Sequence, residues 1–188
     1  MTQIILASGS PRRREILKQI GVDFRVVVSN DEESPKSANP LDFPRENAMA
    51  KALAVSAKEP GSYVLGFDTL VFLDGVPLGK PKDEKDALEM LNKLNGRTHW
   101  VITGVAIAKD GQVVDAQQER TEVFFRKNSL QELEKYVDSK DPMDKAGAYG
   151  IQTQGARLIS QIRGCFYNVV GLPVARTLEM LGKLKVNV

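Results

Sequence analysis

The stretch "IILASGSPRRREIL", residues 4–17, reads as a strand, a tight turn and a helix start in immediate succession. Ile4, Ile5 and Leu6 are a brief apolar run bounded by small residues, which suits a buried strand. Ser8, Gly9 and Ser10 form the turn, where Gly9 can adopt backbone angles closed to other residues. Ser10 is a good N-cap, and Pro11 fits the first helical position, where its missing N–H has no partner to lose. Ile16, Leu17 and Ile20 then recur at helical spacing, and Gly21 supplies a stop. Three consecutive arginines, Arg12 to Arg14, open that helix. They are unfavourable beside its positive N-terminal dipole unless an anion is bound. Exposed amides, serine hydroxyls and guanidinium forks together make a phosphate site; the alternative is a solvated basic turn. Successive helical residues differ by about 100° in direction, so the three arginines cannot share one phosphate. Arg12 and Arg13 lie nearest the turn, and Arg14 is left as surface charge.

Outward from this stretch, strands and helices alternate. The sequence predicts a strand over Phe24 to Val28 ending in the acidic trio Asp31, Glu32 and Glu33, then a proline-rich loop over 34–44. A helix follows from Arg45 to Lys58, and a strand from Tyr63 runs past Asp68 to a turn at Asp74-Gly75. Ala87, Leu88, Leu91 and Leu94 mark one face of the next helix. Thr98 to Ala108 and Val113 to Phe125 read as a long hairpin around Asp110-Gly111. Ser129 and Glu132 form a capping-box signature for a helix over 129–138. A strand over Ala156 to Ile162 and a helix over Gly171 to Leu184 complete the chain. Early alternation with a central hairpin indicates an α/β fold with a mixed sheet.

The 188 residues suit one domain, or two lobes sharing a sheet, and 42% hydrophobic content supports a core. With 26 basic and 24 acidic residues the net charge is +2, which disfavours a nucleic-acid-coating protein. A single cysteine, Cys165, excludes an internal disulfide, and one cysteine with one histidine cannot make the usual zinc site. No leader pattern or membrane-length apolar run is seen, so a cytoplasmic protein without membrane attachment is expected.

Candidate chemistry concentrates in carboxylates and lysines. Asp68 interrupts an apolar strand, and burying it without a partner would be costly, so it caps, binds a metal or acts as a base. The acidic trio at the end of the second strand suits Mg²⁺, although taken alone it reads as an ordinary solvated turn. "GVPLGKP", 75–81, resembles a Walker A loop but has too few residues between glycines and Pro81 where Ser or Thr is needed. Lys80 is nonetheless a rigidly presented cation, or simply a lysine in a polar turn. His99 reads as a structural histidine, Cys165 as packing and Trp100 as core or rim.

Five motifs now stand in one order: "LASGSPRR" (6–13), "FDTLVFLDG" (67–75), "LGKP" (78–81), "DKAGAYGIQ" (144–152) and "VVGLP" (169–173). The chain thereby resembles the Maf family of nucleoside triphosphate pyrophosphatases across essentially its whole length. The resemblance implies a single domain over 1–188, an elongated mixed α/β sheet with flanking helices and two lobes around a central cleft. Such a fold is similar to that of inosine triphosphate pyrophosphatases. It further implies a divalent metal, Mg²⁺ or Mn²⁺, and release of a nucleoside monophosphate and pyrophosphate.

Carried over to this sequence, Ser8, Ser10 and Arg13 match the phosphate-binding turn, and Lys51 and Lys80 the family's lysines. Asp68 matches the catalytic acid, Glu33 the metal-side acid (with the register between Glu32 and Glu33 open), and Asp144 and Lys145 the "DKAG" segment. Phe67 departs from the small residue common before that aspartate. Three positions separate the family's branches. Here they are Arg12, Thr69 and Gln152, the combination resembling the branch that acts on dTTP and UTP. The 7-methyl-GTP branch has tryptophan, glutamine and glutamate there. The resemblance thus implies house-cleaning of the nucleotide pool by hydrolysis of dTTP, UTP and modified pyrimidine analogues, with a homodimer as candidate assembly. The alternative it carries is a non-enzymatic, nucleotide-binding regulator of septum formation.

Overall fold

Ile4–Leu6 form strand β1, and all three residues are buried. The computed structural model describes residues 3–28 and 35–186. Helix α1, Pro11–Gln19, follows with Pro11 in its first turn and Ser10 at the N-cap. The Ser10 side chain makes no capping hydrogen bond; its carbonyl accepts the Arg14 N–H, and its own N–H donates to Ser8 Oγ at 3.3 Å. The other end closes as the glycine predicts. Gly21 takes φ 76°, its N–H donates to Lys18 O, and Val22 N–H donates to Leu17 O, the paired bonds of a Schellman cap.

Among the described residues six further strands complete a mixed sheet: β2 Arg25–Val26, β3 Tyr63–Leu73, β4 Val76–Leu78, β5 Thr98–Lys109, β6 Gln112–Phe125 and β7 Ile159–Arg163. Their order is β2-β1-β3-β5-β6-β7, with β4 also paired to β3. β1 runs parallel to both β2 and β3, while β4 and β7 lie antiparallel to β3 and β6. The expected α/β class with a mixed sheet is the one adopted. Both Asp-Gly turns hold two consecutive left-handed residues: φ is 52° and 79° at Asp74 and Gly75, and 49° and 74° at Asp110 and Gly111. That is what a two-residue hairpin turn needs to match strand twist.

The remaining helices are α2 Phe43–Ser56, α3 Glu84–Leu94, α4 Leu130–Asp138, α5 Phe166–Val170 and α6 Val174–Lys183. α4 carries the complete capping box between Ser129 and Glu132. Among the described residues no helix is long and apolar enough to cross a membrane.

Some elements differ from the sequence reading. β2 covers only Arg25–Val26, and the acidic trio Asp31, Glu32 and Glu33 lies outside the described residues. Residues 40–42 form a 3₁₀ turn capped by Asn39, so α2 starts at Phe43 instead of Arg45. "VPL" (76–78), given no element by the sequence reading, is strand β4. Gln154–Leu158 is 3₁₀ helix, which delays β7 to Ile159. α5 precedes a shortened final helix. Of the two places expected for Trp100, core or rim, its 43% exposure fits the rim.

The chain divides into two compact units. The first comprises Met1–Asp68, Thr103–Glu119 and Gly171–Val188; the second Thr69–Ile102 and Arg120–Val170. In the first, Ala48, Ala52 and Val55 of α2 pack on Ile5, Val64, Ala106 and Ala108. Small residues let that helix approach the sheet closely: a Cβ on Gly66 would fall 2.2 Å from Ala48 O, and one on Gly104 2.1 Å from Pro44 O. In the second, α3 and α4 contribute Ala87, Leu91, Leu94, Leu133, Tyr136 and Val137 to a core with Val71, Val101, Val123 and Phe125.

Candidate active site

Asp68 lies in β3 and is 7% exposed. Its carboxylate is met by two residues one turn apart on α2. Lys51 Nζ donates to Oδ1 at 2.7 Å and Asn47 Nδ2 donates to Oδ2 at 3.0 Å. The close approach of α2 to β3 at Gly66 is what brings these side chains within reach. A buried carboxylate must be paired, and here both oxygens accept a hydrogen bond. Asn47 was not among the residues singled out in the sequence. The available signal was its i, i+4 spacing from Lys51, which puts both on one helix face.

Beside this carboxylate stands the turn after β1. Leu6 pairs with Leu65 on β3 and Ala7 N–H donates to Leu65 O, which carries Ser8 alongside the Phe67–Asp68 end of that stretch. Arg13 is fixed from three directions. Its Nη1 donates to Ser8 Oγ at 3.0 Å, its Nε donates to Gly171 O at 2.8 Å, and its guanidinium carbon lies 5.7 Å from the centre of the Phe67 ring. Phe67 is fully buried, so the large residue is accommodated and serves as a floor for the guanidinium. Gly171 belongs to the "VVGLP" motif, so residues of three of the five motifs meet in the first unit. Arg12 is partly exposed and Arg14 exposed. The N-terminus of α1 and the turn lie at the carboxyl end of a parallel strand, where open α/β sheets bind ligands.

The other two motifs meet in the second unit. Gly147 N–H of "DKAGAYGIQ" donates to Gly79 O of "LGKP" at 2.9 Å, and Gly147 takes φ 69° with its Cα against Val71. Lys80 is exposed. Lys145 is buried, and its ammonium donates to the carboxylates of Asp141 and Asp144 and to Asp141 O. Burial would raise the Asp141 pKa, but hydrogen bonds from Thr153, Tyr136 and Lys145 outweigh it and hold the carboxyl below its usual value. Burial first, and the Asp141 hydrogen bond second, push Tyr136 up. Gln152 is exposed on the turn that follows. Thr69 is partly exposed and, being next to Asp68 on β3, faces the opposite side of the strand.

His99 is structural in its surroundings. It is 1% exposed, its Nε2 shares a 2.7 Å hydrogen bond with Tyr149 Oη, and it meets Phe125 and Tyr149 edge to face. Burial lowers its pKa to about 4.

The geometry can now be set beside known proteins. The profile described as Maf-like protein matches residues 3–184. The chain belongs to the Maf family. A protein named dTTP/UTP pyrophosphatase from Symbiobacterium thermophilum is 48% identical to this Maf protein over 182 residues, covering 96% of this chain and 93% of the relative. Proteins of the same name from Dictyoglomus turgidum and Bacillus cereus (strain AH820) are 45% and 46% identical, covering 96% and 100% of this chain and 95% and 98% of their own. Among solved structures, the Staphylococcus aureus Ham1 protein matches with a TM-score of 0.57 at 18% identity, covering 97% of this chain and 99% of that one. A HAM1 protein from Coxiella burnetii gives 0.52 at 15% identity, covering 84% and 91%. The Maf chain therefore shares its fold with Ham1 proteins.

Proposed function

We propose that this Maf protein is a nucleoside triphosphate pyrophosphatase acting on dTTP and UTP, and on modified pyrimidine analogues, as a house-cleaning enzyme of the nucleotide pool. The observation that carries the reading is Asp68, a buried carboxylate held by Lys51 and Asn47 beside the Ser8–Arg13 turn. The names of relatives sharing nearly half of its residues over nearly their whole length support it.

In this reading Ser8, Ser10, Arg13 and the first-turn amides of α1 bind phosphate oxygens, for which a helix N-terminus is well suited. Asp68 orients the attacking water and accepts its proton as oxygen joins the α-phosphorus. The α–β bridging bond then breaks, and its electron pair leaves with pyrophosphate. Lys51 and Lys80 offset charge on the departing group, a role that positioned cations perform well in a desolvated site. Asp144 and Lys145 complete the substrate-binding set.

A divalent metal is part of the proposal. Among the described residues no group of three or more His, Cys, Asp or Glu is placed to hold one. A lone buried carboxylate with hard oxygen donors still fits Mg²⁺, which takes one or two carboxylates and completes its shell with water and substrate phosphate. Asp68 and Glu33 would hold it, where it would neutralise phosphate charge and acidify a bound water.

Arg12, Thr69 and Gln152 are assigned to the base. Arginine and glutamine N–H groups suit pyrimidine carbonyls, and threonine donates or accepts. A cytoplasmic setting, a nucleotide rather than a nucleic acid as partner and a homodimer as candidate assembly complete the reading.

The test is a panel of nucleoside triphosphates with Mg²⁺, measuring phosphate and pyrophosphate separately. Monophosphate plus pyrophosphate is expected, fastest with dTTP and UTP. Diphosphate plus orthophosphate would sink the bond assignment, and binding without turnover would return the regulator reading. Replacing Arg12, Thr69 and Gln152 together by Trp, Gln and Glu should move preference towards 7-methyl-GTP; an unchanged ranking would refute the base assignment.

A further inference from the structure

Residues 150–153 form the turn that presents Gln152. Thr153 N–H donates to Gly150 O at 3.3 Å, closing the turn, with Gln152 exposed in its second central position. Neither end of it is left to the turn alone. Thr153 Oγ1 lies 2.6 Å from Asp141 Oδ2 and 3.1 Å from Gly150 O. A hydroxyl has one proton, so the shorter contact to a carboxylate takes it. Tyr136 Oη donates to the same Asp141 oxygen at 2.7 Å and accepts the Gly150 N–H at 3.1 Å. Lys145 Nζ donates to Asp141 Oδ1 and holds that carboxylate from its other side. The space around the turn is also filled. A Cβ on Gly150 would fall 2.6 Å from both Lys145 Cε and Thr153 Oγ1, and one on Gly155 2.7 Å from Gly150 O and Tyr136 Oη.

We propose that Asp141, Tyr136 and Thr153 are positioning residues for base selection: one carboxylate, bridged by two hydroxyls, fixes both ends of the Gly150–Thr153 turn and so places Gln152. The inference rests on the reading of Gln152 as a base contact and adds three residues that act through the turn carrying it. Each hydroxyl does a separate part of the work. Tyr136 ties Gly150 to Asp141, and Thr153 ties the other end to it. Losing either hydroxyl releases one end, while the Tyr136 ring keeps its core packing and Thr153 lies exposed. A displaced side chain loses the directional hydrogen bonds that distinguish bases, while phosphate contacts elsewhere continue to hold the substrate.

The test compares kcat/KM for dTTP with that for GTP in the full chain carrying Tyr136→Phe, Thr153→Val, Thr153→Ser and Gln152→Ala. Tyr136→Phe and Thr153→Val should each lower the dTTP:GTP ratio about ten-fold, since small misplacements of positioning groups have effects of that order or larger. The loss should appear mainly in KM for dTTP, with kcat for GTP retained. Thr153→Ser keeps the hydroxyl and should restore the ratio. In a Gln152→Ala background, Tyr136→Phe should change the ratio less than about two-fold, because the two act through one contact. If Gln152→Ala collapses the ratio but neither hydroxyl deletion moves it, the proposal is overturned and the base assignment stands. If Gln152→Ala itself leaves the ratio unchanged, the base assignment fails and the proposal falls with it.

Discussion

Removing either member of the Lys51–Asp68 pair should have unequal effects on stability, and the structure gives the order. The Asp68 side chain is 10% exposed and Lys51 is 21% exposed, with 2.7 Å between Nζ and Oδ1. Lys51→Met leaves a carboxylate sealed in protein, with the Asn47 amide still donating to its other oxygen. Breaking a fully buried pair costs about 3–5 kcal/mol, because a charge is left uncompensated. The Asn47 hydrogen bond and the partial exposure of the pair reduce that to about 2–3 kcal/mol, within the range for a charged hydrogen bond. Asp68→Asn instead strands an ammonium on a flexible stem that can swing to water, at about 1 kcal/mol. The double variant Lys51→Met/Asp68→Asn should be more stable than Lys51→Met alone, with a coupling energy of about 2 kcal/mol that exceeds the cost of Asp68→Asn itself. Urea unfolding at pH 7 measures all four proteins, and equal m-values would license the comparison. Turnover should follow the opposite order. Asp68→Asn is expected to lose about 10²–10⁴ in kcat, the range for a positioned acid–base group, while remaining close to wild type in stability. The reasoning is refuted if Asp68→Asn is as destabilising as Lys51→Met, or if the double variant is no more stable than Lys51→Met.

His99 is the chain's single histidine, so its imidazole resonances are unambiguous. Burial lowers its pKa from 6.5 to about 4, so between those values the unfolded chain binds the extra proton. Its contribution to stability is therefore complete above about pH 6.5 and is lost as the pH falls towards 4, by up to about 3 kcal/mol. An NMR titration of the folded protein should show no midpoint above pH 5, and one near 6.5 would contradict the burial argument. Gly66→Ala and Gly104→Ala should each destabilise by at least about 2 kcal/mol through overpacking against α2 backbone, whereas Gly79→Ala, with nothing within 4 Å of its Cβ, should leave the thermal midpoint almost unchanged.

Much of the scaffold was legible because local chemistry decides it. Gly21, the two Asp-Gly turns and the Ser129–Glu132 box each satisfy a backbone requirement within a few residues, and each is found in its expected role. Elements set by distant partners were not legible. β2 is an edge strand, and its two residues are those that pair with β1. β4 contains Pro77 and is too short for alternation to show, yet its pairing with β3 makes it a strand. Ala156 and Leu158 alternate with Arg157 as a strand would, but the three residues continue a 3₁₀ helix. Asn47 in an alanine-rich helix looks like any polar surface residue. Its side chain acquires a task only when β3 delivers Asp68 opposite it.

The arginine run shows the same division within one motif. Three identical side chains in adjacent positions carry no sequence signal that ranks them, beyond distance from the turn. Tertiary contacts do the ranking. Arg13 is set against Ser8, the Phe67 ring and Gly171 O, a carbonyl 158 residues away in the sequence. Fixing a guanidinium from two hydrogen-bonding directions and one aromatic face settles its orientation before an anion arrives. The ordering entropy of a long side chain is then charged to folding and not to binding, which is the physical content of preorganisation. The phosphate assignment therefore follows Arg13 because of what holds it, and the base assignment of Arg12 stands on its own test.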